Sequence, residues 1–178
     1  MRRAVAVIER ISRAFGALAA VLVGVLMALM AYELALRYVF KAPTTWSYDI
    51  STMTMGATFV LAIGYTLATN AHVRVDILKP VFGRRGPLVV DLVGHAVVML
   101  PLLLWLTWSL WEYFYAALLS RERSGGSAWN PLVWPFRAVM LAGVAVWTLQ
   151  TMAEIAKTAL LLAGRAPAEG GGVQSTPV

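Results

Sequence analysis

Residues 14–32 read AFGALAAVLVGVLMALMAY, nineteen consecutive residues without a charged side chain. Three further stretches of the same kind follow, at residues 50–71, 92–111 and 138–153. At about 1.5 Å per residue, a helix over each stretch approaches the roughly 30 Å of hydrocarbon in a bilayer. The alternating strands of about ten residues that a membrane barrel needs do not appear in the pattern. The sequence therefore predicts an all-α polytopic membrane protein with four transmembrane helices.

The rest of the composition agrees with this class. Of the 178 residues, 60% are hydrophobic and 13% are charged. The net charge of +6 does not indicate nucleic-acid binding, because in a membrane chain the position of each basic residue matters more than the sum. We expect residues 1–163 to form one four-helix membrane domain. Residues 164–178 are rich in Gly and lack apolar periodicity, so they are predicted to be a flexible tail.

The distribution of basic residues predicts the orientation. With four spans, the segments on the side of the N-terminus hold ten of the 15 Lys and Arg residues, and the opposite segments hold five. Basic residues accumulate in cytoplasmic loops. Both termini are therefore predicted to be cytoplasmic. The basic lead-in at residues 1–13 allows two interpretations, an amphipathic turn along the lipid headgroups or a solvated extension of the first helix.

Ionisable residues near the spans form pairs at helical spacing. The pairs are Glu33–Arg37, Asp91–His95 and Glu154–Lys157. Residues three or four apart meet on one helix face, so pairing within each helix is the favoured interpretation, with a proton or ion relay as the alternative. Asp49 and Glu112 have no such neighbour and lie at the outer ends of helices, from which their side chains can reach the membrane interface. A second hypothesis is that Arg137 in the fourth helix pairs with Glu112 across the bundle.

Small residues form a stripe on the second helix, at Thr52, Gly56, Gly64 and Ala68. Small side chains let helix backbones approach closely in lipid. The stripe therefore predicts close packing of this helix, against a helix of this chain or of a partner. Pro101, in the middle of the third helix, lacks an N–H donor and predicts a kink or local loosening there.

Motifs of enzymatic chemistry are missing from the sequence. It holds no Gly-rich phosphate loop, no His-Glu-x-x-His motif and no Cys, so we predict no enzyme and no cofactor. Two other classes stay open. One is an independent small transporter or channel, although four spans lack the repeated halves of most secondary transporters. The other, less favoured, is an electron-transfer subunit with His72 and His95 as haem ligands.

Several short motifs resemble a known family. They are Arg37-Tyr38-Val39-Phe40, Trp46-Ser47-Tyr48-Asp49, His72-Val73-Arg74-Val75-Asp76, and the later segment from Trp129 to Pro135 with Gln150 and Glu154. Together with chain length and span count, they resemble the small membrane subunit of tripartite ATP-independent periplasmic (TRAP) transporters, the DctQ-like family. The acidic residue after the tryptophan is often Glu in that family, whereas it is Asp49 here.

The resemblance implies a three-part uptake system in a bacterial inner membrane. A periplasmic binding protein captures an organic anion, typically a carboxylate, and delivers it to the membrane pair. The large membrane subunit carries it together with Na⁺ by an elevator motion. The small subunit, embedded in the lipid bilayer, is the fixed scaffold of the large one. Specificity for the anion would lie in the other two proteins.

The resemblance also indicates which residues fix the fold or the partner interface. Trp46 and Asp49 are expected to anchor the outer end of the second helix. His72, Arg74 and Asp76 are expected to fix its inner end and the following loop. The alternative is a solvated loop in which Arg74 complements the carbonyl end of the helix. Gly56 and Gly64, from the small stripe, complete the candidate set.

Overall fold

The computed structural model describes residues 2–69 and 86–163. It has four long helices: α1 (Arg2–Tyr38), α2 (Ser47–Ala68), α3 and α4 (Trp134–Leu162). Helix α3 runs through three consecutive segments, α-helical Gly86–Val93, π-helical Gly94–Met99 and α-helical Leu100–Ser120. All four are long and apolar enough to cross a membrane. The predicted all-α class with four spans is confirmed, while the cytoplasmic location of both termini stays a prediction.

Helix α1 continues far beyond its uncharged stretch. It comprises 37 residues without a break from Arg2, which corresponds to about 55 Å at 1.5 Å per residue. The basic lead-in is thus continuous with the spanning helix, which favours the interpretation as an extension of that helix. The helix ends at Tyr38, before Pro43, and α2 begins at Ser47. The short connection places the end of α1 beside the start of α2.

The loosening predicted at Pro101 is present as a π-helical turn just before it. The amide of Leu100 donates to the carbonyl oxygen of His95, five residues earlier. Pro101 has no N–H, and its ring crowds the carbonyl of the residue four positions earlier. A wider turn at Gly94–Met99 accommodates this crowding. The prediction of a local irregularity is therefore confirmed, with π-helical geometry as its form.

The four helices are not equally enclosed. Helices α2 and α4 pack against each other and lie centrally, with 33% of the residues in each spanning window buried. Helix α1 packs on α2 and partly on α4, whereas in the described residues α3 packs on α4 alone. In α1 and α3 only 6% of the residues in the spanning window are buried. The two peripheral helices therefore direct most of their surface away from the chain itself.

Glycines permit the close approach of α2 to its neighbours. A Cβ added to Gly143 of α4 would lie 2.4 Å from Cγ1 of Val60, so this α2 side chain occupies the space that the glycine leaves. On α2, a Cβ at Gly56 would meet the Phe136 ring at 2.9 Å. In hydrocarbon such packing is a main source of helix association, because lipid is as apolar as the side chains. The close contact at Gly143 was not predicted.

Candidate functional site: a polar clamp at one end of the bundle

The two ends of the bundle are called here the Asp49 end and the Lys157 end. Helices α1 and α3 terminate at the Asp49 end, where helices α2 and α4 begin. At the Lys157 end, helices α2 and α4 terminate and helices α1 and α3 begin. Two of the candidate residues, Trp46 and Asp49, lie at the Asp49 end. Trp46 immediately precedes α2, and its ring stacks on that of Tyr32 in α1, with centroids 6.3 Å apart and planes 22° apart. The tryptophan thus joins the end of α1 to the start of α2.

Asp49 lies in the first turn of α2, where the helix dipole favours an anion. It is 4% exposed. Its Oδ1 accepts a hydrogen bond from the hydroxyl of Ser124 (2.8 Å), and its Oδ2 accepts one from the hydroxyl of Ser127. Both serines belong to the segment between α3 and α4, here called the 121–133 loop. The carboxylate therefore ties the start of α2 to a loop about 75 residues further along the chain.

The 121–133 loop is itself ordered by hydrogen bonds. The amide of Ser124 donates to the carbonyl of Pro131 (2.9 Å), and the amide of Val133 donates to that of Glu122 (3.1 Å). The side chain of Asn130 accepts from the amide of Gly125 (2.9 Å). Gly125 has a φ of +64°, a left-handed conformation in which glycine is unstrained. The loop is a short hairpin-like structure folded back over the bundle end.

Arg137, in the first turns of α4, is the second anchor of this loop. It is 6% exposed. Its Nη2 donates to Oε1 of Glu122 (2.6 Å), and its Nη1 donates to the main-chain carbonyl of Tyr113 in α3 (3.1 Å). The guanidinium carbon lies 3.3 Å from the centroid of the Tyr113 ring, a cation–π contact. One side chain thus joins α4, α3 and the loop.

The predicted pairing of Arg137 with Glu112 is wrong. Glu112 is exposed, and its Oε1 accepts from the indole Nε1 of Trp108 (3.0 Å), one turn earlier on α3. Successive residues on a helix point about 100° apart, so Tyr113 and Glu112 do not both face α4. The carboxylate that reaches the arginine is that of Glu122, which follows the helix and folds back. The correct partner depends on the loop fold.

Asp49, Tyr113, Glu122 and Arg137 line one cavity of about 380 Å³ at this end. The carboxylates and the guanidinium are bound to partners within the chain, in the contacts described above. We call Asp49, Ser124, Ser127, Glu122 and Arg137 the polar clamp. What this arrangement does chemically is hold three helix ends and a loop in one geometry.

The connection between α1 and α2 has a smaller polar contact of the same kind. Glu33 accepts from Nη2 of Arg37 (2.9 Å), as predicted from their spacing. It also accepts from the hydroxyl (2.6 Å) and the amide (3.3 Å) of Thr44. The pairing within the helix is confirmed. The contact with Thr44, which closes the turn between the helices, was not predicted.

The Lys157 end holds a second polar network. Lys157 donates to Glu154 (2.8 Å), which confirms the predicted pair, and also to Glu9 of α1. Gln150 accepts from the hydroxyl of Ser12 (3.0 Å), and both residues are fully buried. The third predicted pair, Asp91 with His95, is joined through the main chain of the aspartate. Nδ1 of His95 donates to the main-chain carbonyl of Asp91 (2.7 Å).

The other candidate residues are placed as follows. Gly56 and Gly64 of α2 both face α4 of the same chain: a Cβ at Gly64 would lie 3.4 Å from Cγ1 of Val146. The partner of the small stripe, left open by the sequence, is thus within the chain. His72, Arg74 and Asp76 lie outside the described residues, and so does one ligand of the alternative haem site.

Sequence reasoning missed the loop serines and the α1 residues that complete both networks. The run from Ser124 to Ser127, with two glycines between two serines, was a signal for a tight loop with free hydroxyls. For Ser12 and Glu9 of α1 the sequence offered no comparable signal, because their partners on α4 are about 140 residues away.

Comparison with known proteins gives a family. The model of tripartite ATP-independent periplasmic transporters, DctQ component, matches residues 26–161, which include the last part of α1 (residues 26–38), the described part of α2 and α3, and α4 except its last residue. No curated protein and no solved structure matches the chain. The family match agrees with the resemblance carried by the short motifs, and it covers both anchors of the polar clamp. The chain belongs to the DctQ component family of tripartite ATP-independent periplasmic transporters.

Proposed function

We propose that this chain is the rigid small membrane subunit that braces the large, elevator-type subunit of a TRAP transporter. The transporter takes up an organic anion of the carboxylate class together with Na⁺, and a periplasmic binding protein delivers the anion. The complex lies in the bacterial inner membrane, with both termini of this chain in the cytoplasm. The ten-to-five distribution of Lys and Arg supports that orientation.

The observation that carries the scaffold role is the polar clamp. Asp49 and Arg137 are both almost fully buried and are bound to partners from other elements of the chain. A group that binds a transported ion must exchange its partners during each cycle. A group that maintains the relative positions of helices keeps the same partners throughout. The contacts of Asp49 and Arg137 fit the second role, because breaking them would release the 121–133 loop and the helix ends that it joins.

Reconstitution of the three-part system tests this role. The variants Glu33→Gln, Asp49→Asn and Glu154→Gln remove one charge each while nearly keeping side-chain shape. For a brace, uptake into vesicles should follow the amount of assembled complex, and its dependence on Na⁺ per complex should equal that of the wild type. A variant that assembles fully yet transports with a different ion stoichiometry would place this chain on the transport path and would refute the proposal.

Reporter fusions test the orientation separately. Fusions in the loop at Arg84 and after Arg165 should both report a cytoplasmic location. A periplasmic signal at either position would contradict the proposed topology without bearing on the scaffold role.

A further inference from the structure

One face of α3 carries large aromatic side chains that are exposed in the described chain. Leu104, Trp105, Trp108, Trp111, Glu112 and Tyr115 are all exposed, and we call this set the aromatic face. They lie on the side of α3 opposite to the buried Leu103 and Ala117. Because α3 packs only on α4 in the described residues, the aromatic face is directed outward, toward whatever surrounds the chain in the membrane.

The other peripheral helix offers a direct comparison. From Val7 to Met30, the exposed large side chains of α1 are all aliphatic or thioether side chains, and its exposed aromatic residues, Tyr32 and Tyr38, lie near its end. Such a surface suits contact with acyl chains. Tryptophan is enriched either at the headgroup level of a bilayer or in protein interfaces. Trp105 lies seven residues before Glu112, about 10 Å further along the helix axis into the uncharged stretch 92–111, so a single headgroup level does not account for all three tryptophans of this face.

Glu112 makes the aromatic face unsuited to lipid alone. Its carboxylate accepts from Nε1 of Trp108, four residues earlier, and is therefore directed toward the middle of α3. This follows from helix geometry, since side chains tilt toward the helix N-terminus. Among the ion pairs of residues 2–69 and 86–163, none includes Glu112. The indole N–H occupies one acceptor position of the carboxylate and does not neutralise its charge. At the border of the uncharged stretch 92–111, a cationic partner would stabilise that charge.

The surroundings of Glu112 favour a side-chain cation. The rings of Trp111 and Tyr115 are stacked, with centroids 6.4 Å apart and planes 10° apart, on the same helix face. Aromatic faces attract cations, and a guanidinium combines that attraction with paired hydrogen bonds to a carboxylate. The site thus presents one negative charge flanked by aromatic rings, which is complementary to an arginine or a lysine.

We propose that the aromatic face of α3 docks the large membrane subunit, and that an Arg or Lys of that subunit binds the Glu112 carboxylate. This inference rests on the proposed function, which supplies the partner. It assigns the interface to α3 and leaves the exposed surface of α1 to lipid. Docking on α3 would cover one of the two least enclosed helices among the described residues, together with its exposed carboxylate.

Photo-crosslinking in membranes that contain the full complex tests the assignment. A photoreactive residue is placed at Leu119 or Leu104 on α3, and at Met27 or Met30 on α1 as controls. Leu119 and Met27 are 68% and 69% exposed, and Leu104 and Met30 are 52% and 51% exposed. The inference predicts adducts with the large subunit from both α3 positions and lipid adducts from both α1 positions. Lipid adducts from α3 in a complex that still co-purifies would overturn it while leaving the proposed function intact.

Charge substitutions test the carboxylate. Glu112→Gln retains an acceptor for Trp108 but removes the charge, and should lower the yield of co-purified large subunit at least about tenfold. Glu112→Asp keeps the charge and should restore most of the yield. Equal yields for wild type and Glu112→Gln would refute the ion pair. If wild-type chain retains no large subunit at all, the proposed function itself fails.

Discussion

The two ends of the bundle are both polar, but they are built differently. At the Asp49 end, two almost fully buried charged residues bind a loop that has no regular secondary structure. At the Lys157 end, the charged residues are partly exposed, with 30% of the Lys157 side chain accessible, and they join two regular helices. The fully buried pair there, Ser12 with Gln150, is neutral.

This difference indicates where the fold depends on charge. Helices α1 and α4 are regular near Lys157, and apolar packing helps to keep them in place. The apolar residues of the 121–133 loop lie in its second half, and the large ones, Trp129 and Leu132, are exposed, so its position depends mainly on the polar clamp. A buried charge that loses its partner is also far more costly than a partly exposed one. We therefore expect substitutions at the Asp49 end to have larger effects than those at the Lys157 end.

The largest effect is expected from Arg137→Gln. The substitution removes the bond to Glu122, the bond to the Tyr113 carbonyl and the stacking on the Tyr113 ring. We expect a loss of about 2–3 kcal/mol in stability, toward the low end for buried pairs because Glu122 is partly exposed. This corresponds to a Tm lower by roughly 5–10 °C in detergent. Arg121→Gln, at an exposed position of the same loop, is the control and should change Tm by less than about 2 °C.

Asp49→Asn should have the next largest effect. The amide retains one acceptor oxygen, so only one of the two serine hydroxyls can still donate to this side chain. The other serine faces an NH2 donor and must turn its hydroxyl to accept instead. We expect a loss of about 1–2 kcal/mol, and faster tryptic cleavage after Arg121 or Arg123 in the released loop. In a double-mutant cycle, Ser127→Ala should cost less in the Asp49→Asn background than in the wild type. Strict additivity would show that the two side chains do not interact.

Gln150→Leu tests the neutral pair at the Lys157 end. It leaves the buried hydroxyl of Ser12 without its acceptor, and it removes the bond from Gln150 to Glu154 (3.0 Å). We expect a loss of about 1 kcal/mol, measured by thermal unfolding. The double variant Ser12→Ala, Gln150→Leu removes both members of the pair and should be more stable than Gln150→Leu alone. A double variant that is less stable would contradict this account.

The smallest effect is expected from Lys157→Met. The lysine bridges Glu9 and Glu154, but all three side chains are partly exposed, so solvent screens the interaction. We expect a change of less than about 1 kcal/mol, and a smaller difference from wild type at high salt. An effect as large as that of Arg137→Gln would remove the distinction between the two ends.

Features set by local geometry could be predicted from the sequence. Glu33 with Arg37 and Glu154 with Lys157 are three or four residues apart, and a helix brings such residues together whatever surrounds it. The irregularity before Pro101 has the same local origin, because it follows from a missing N–H and a steric clash. In contrast, Glu122 rather than Glu112 binds Arg137 because the loop folds back, which no local spacing encodes.

The sequence by itself determined the four spans and the class of membrane protein, because the length of an uncharged apolar stretch is set by the thickness of the bilayer. It also determined the family, which the short motifs indicated and the family model matches. Only the tertiary structure decided that α2 and α4 are central, that Val60 fills the space at Gly143, and that Asp49 binds the 121–133 loop. The physical reason is that lipid and neighbouring helices are equally apolar, so hydrophobicity places a helix in the membrane without selecting its neighbours. That selection depends on shape complementarity and on buried hydrogen bonds between distant residues.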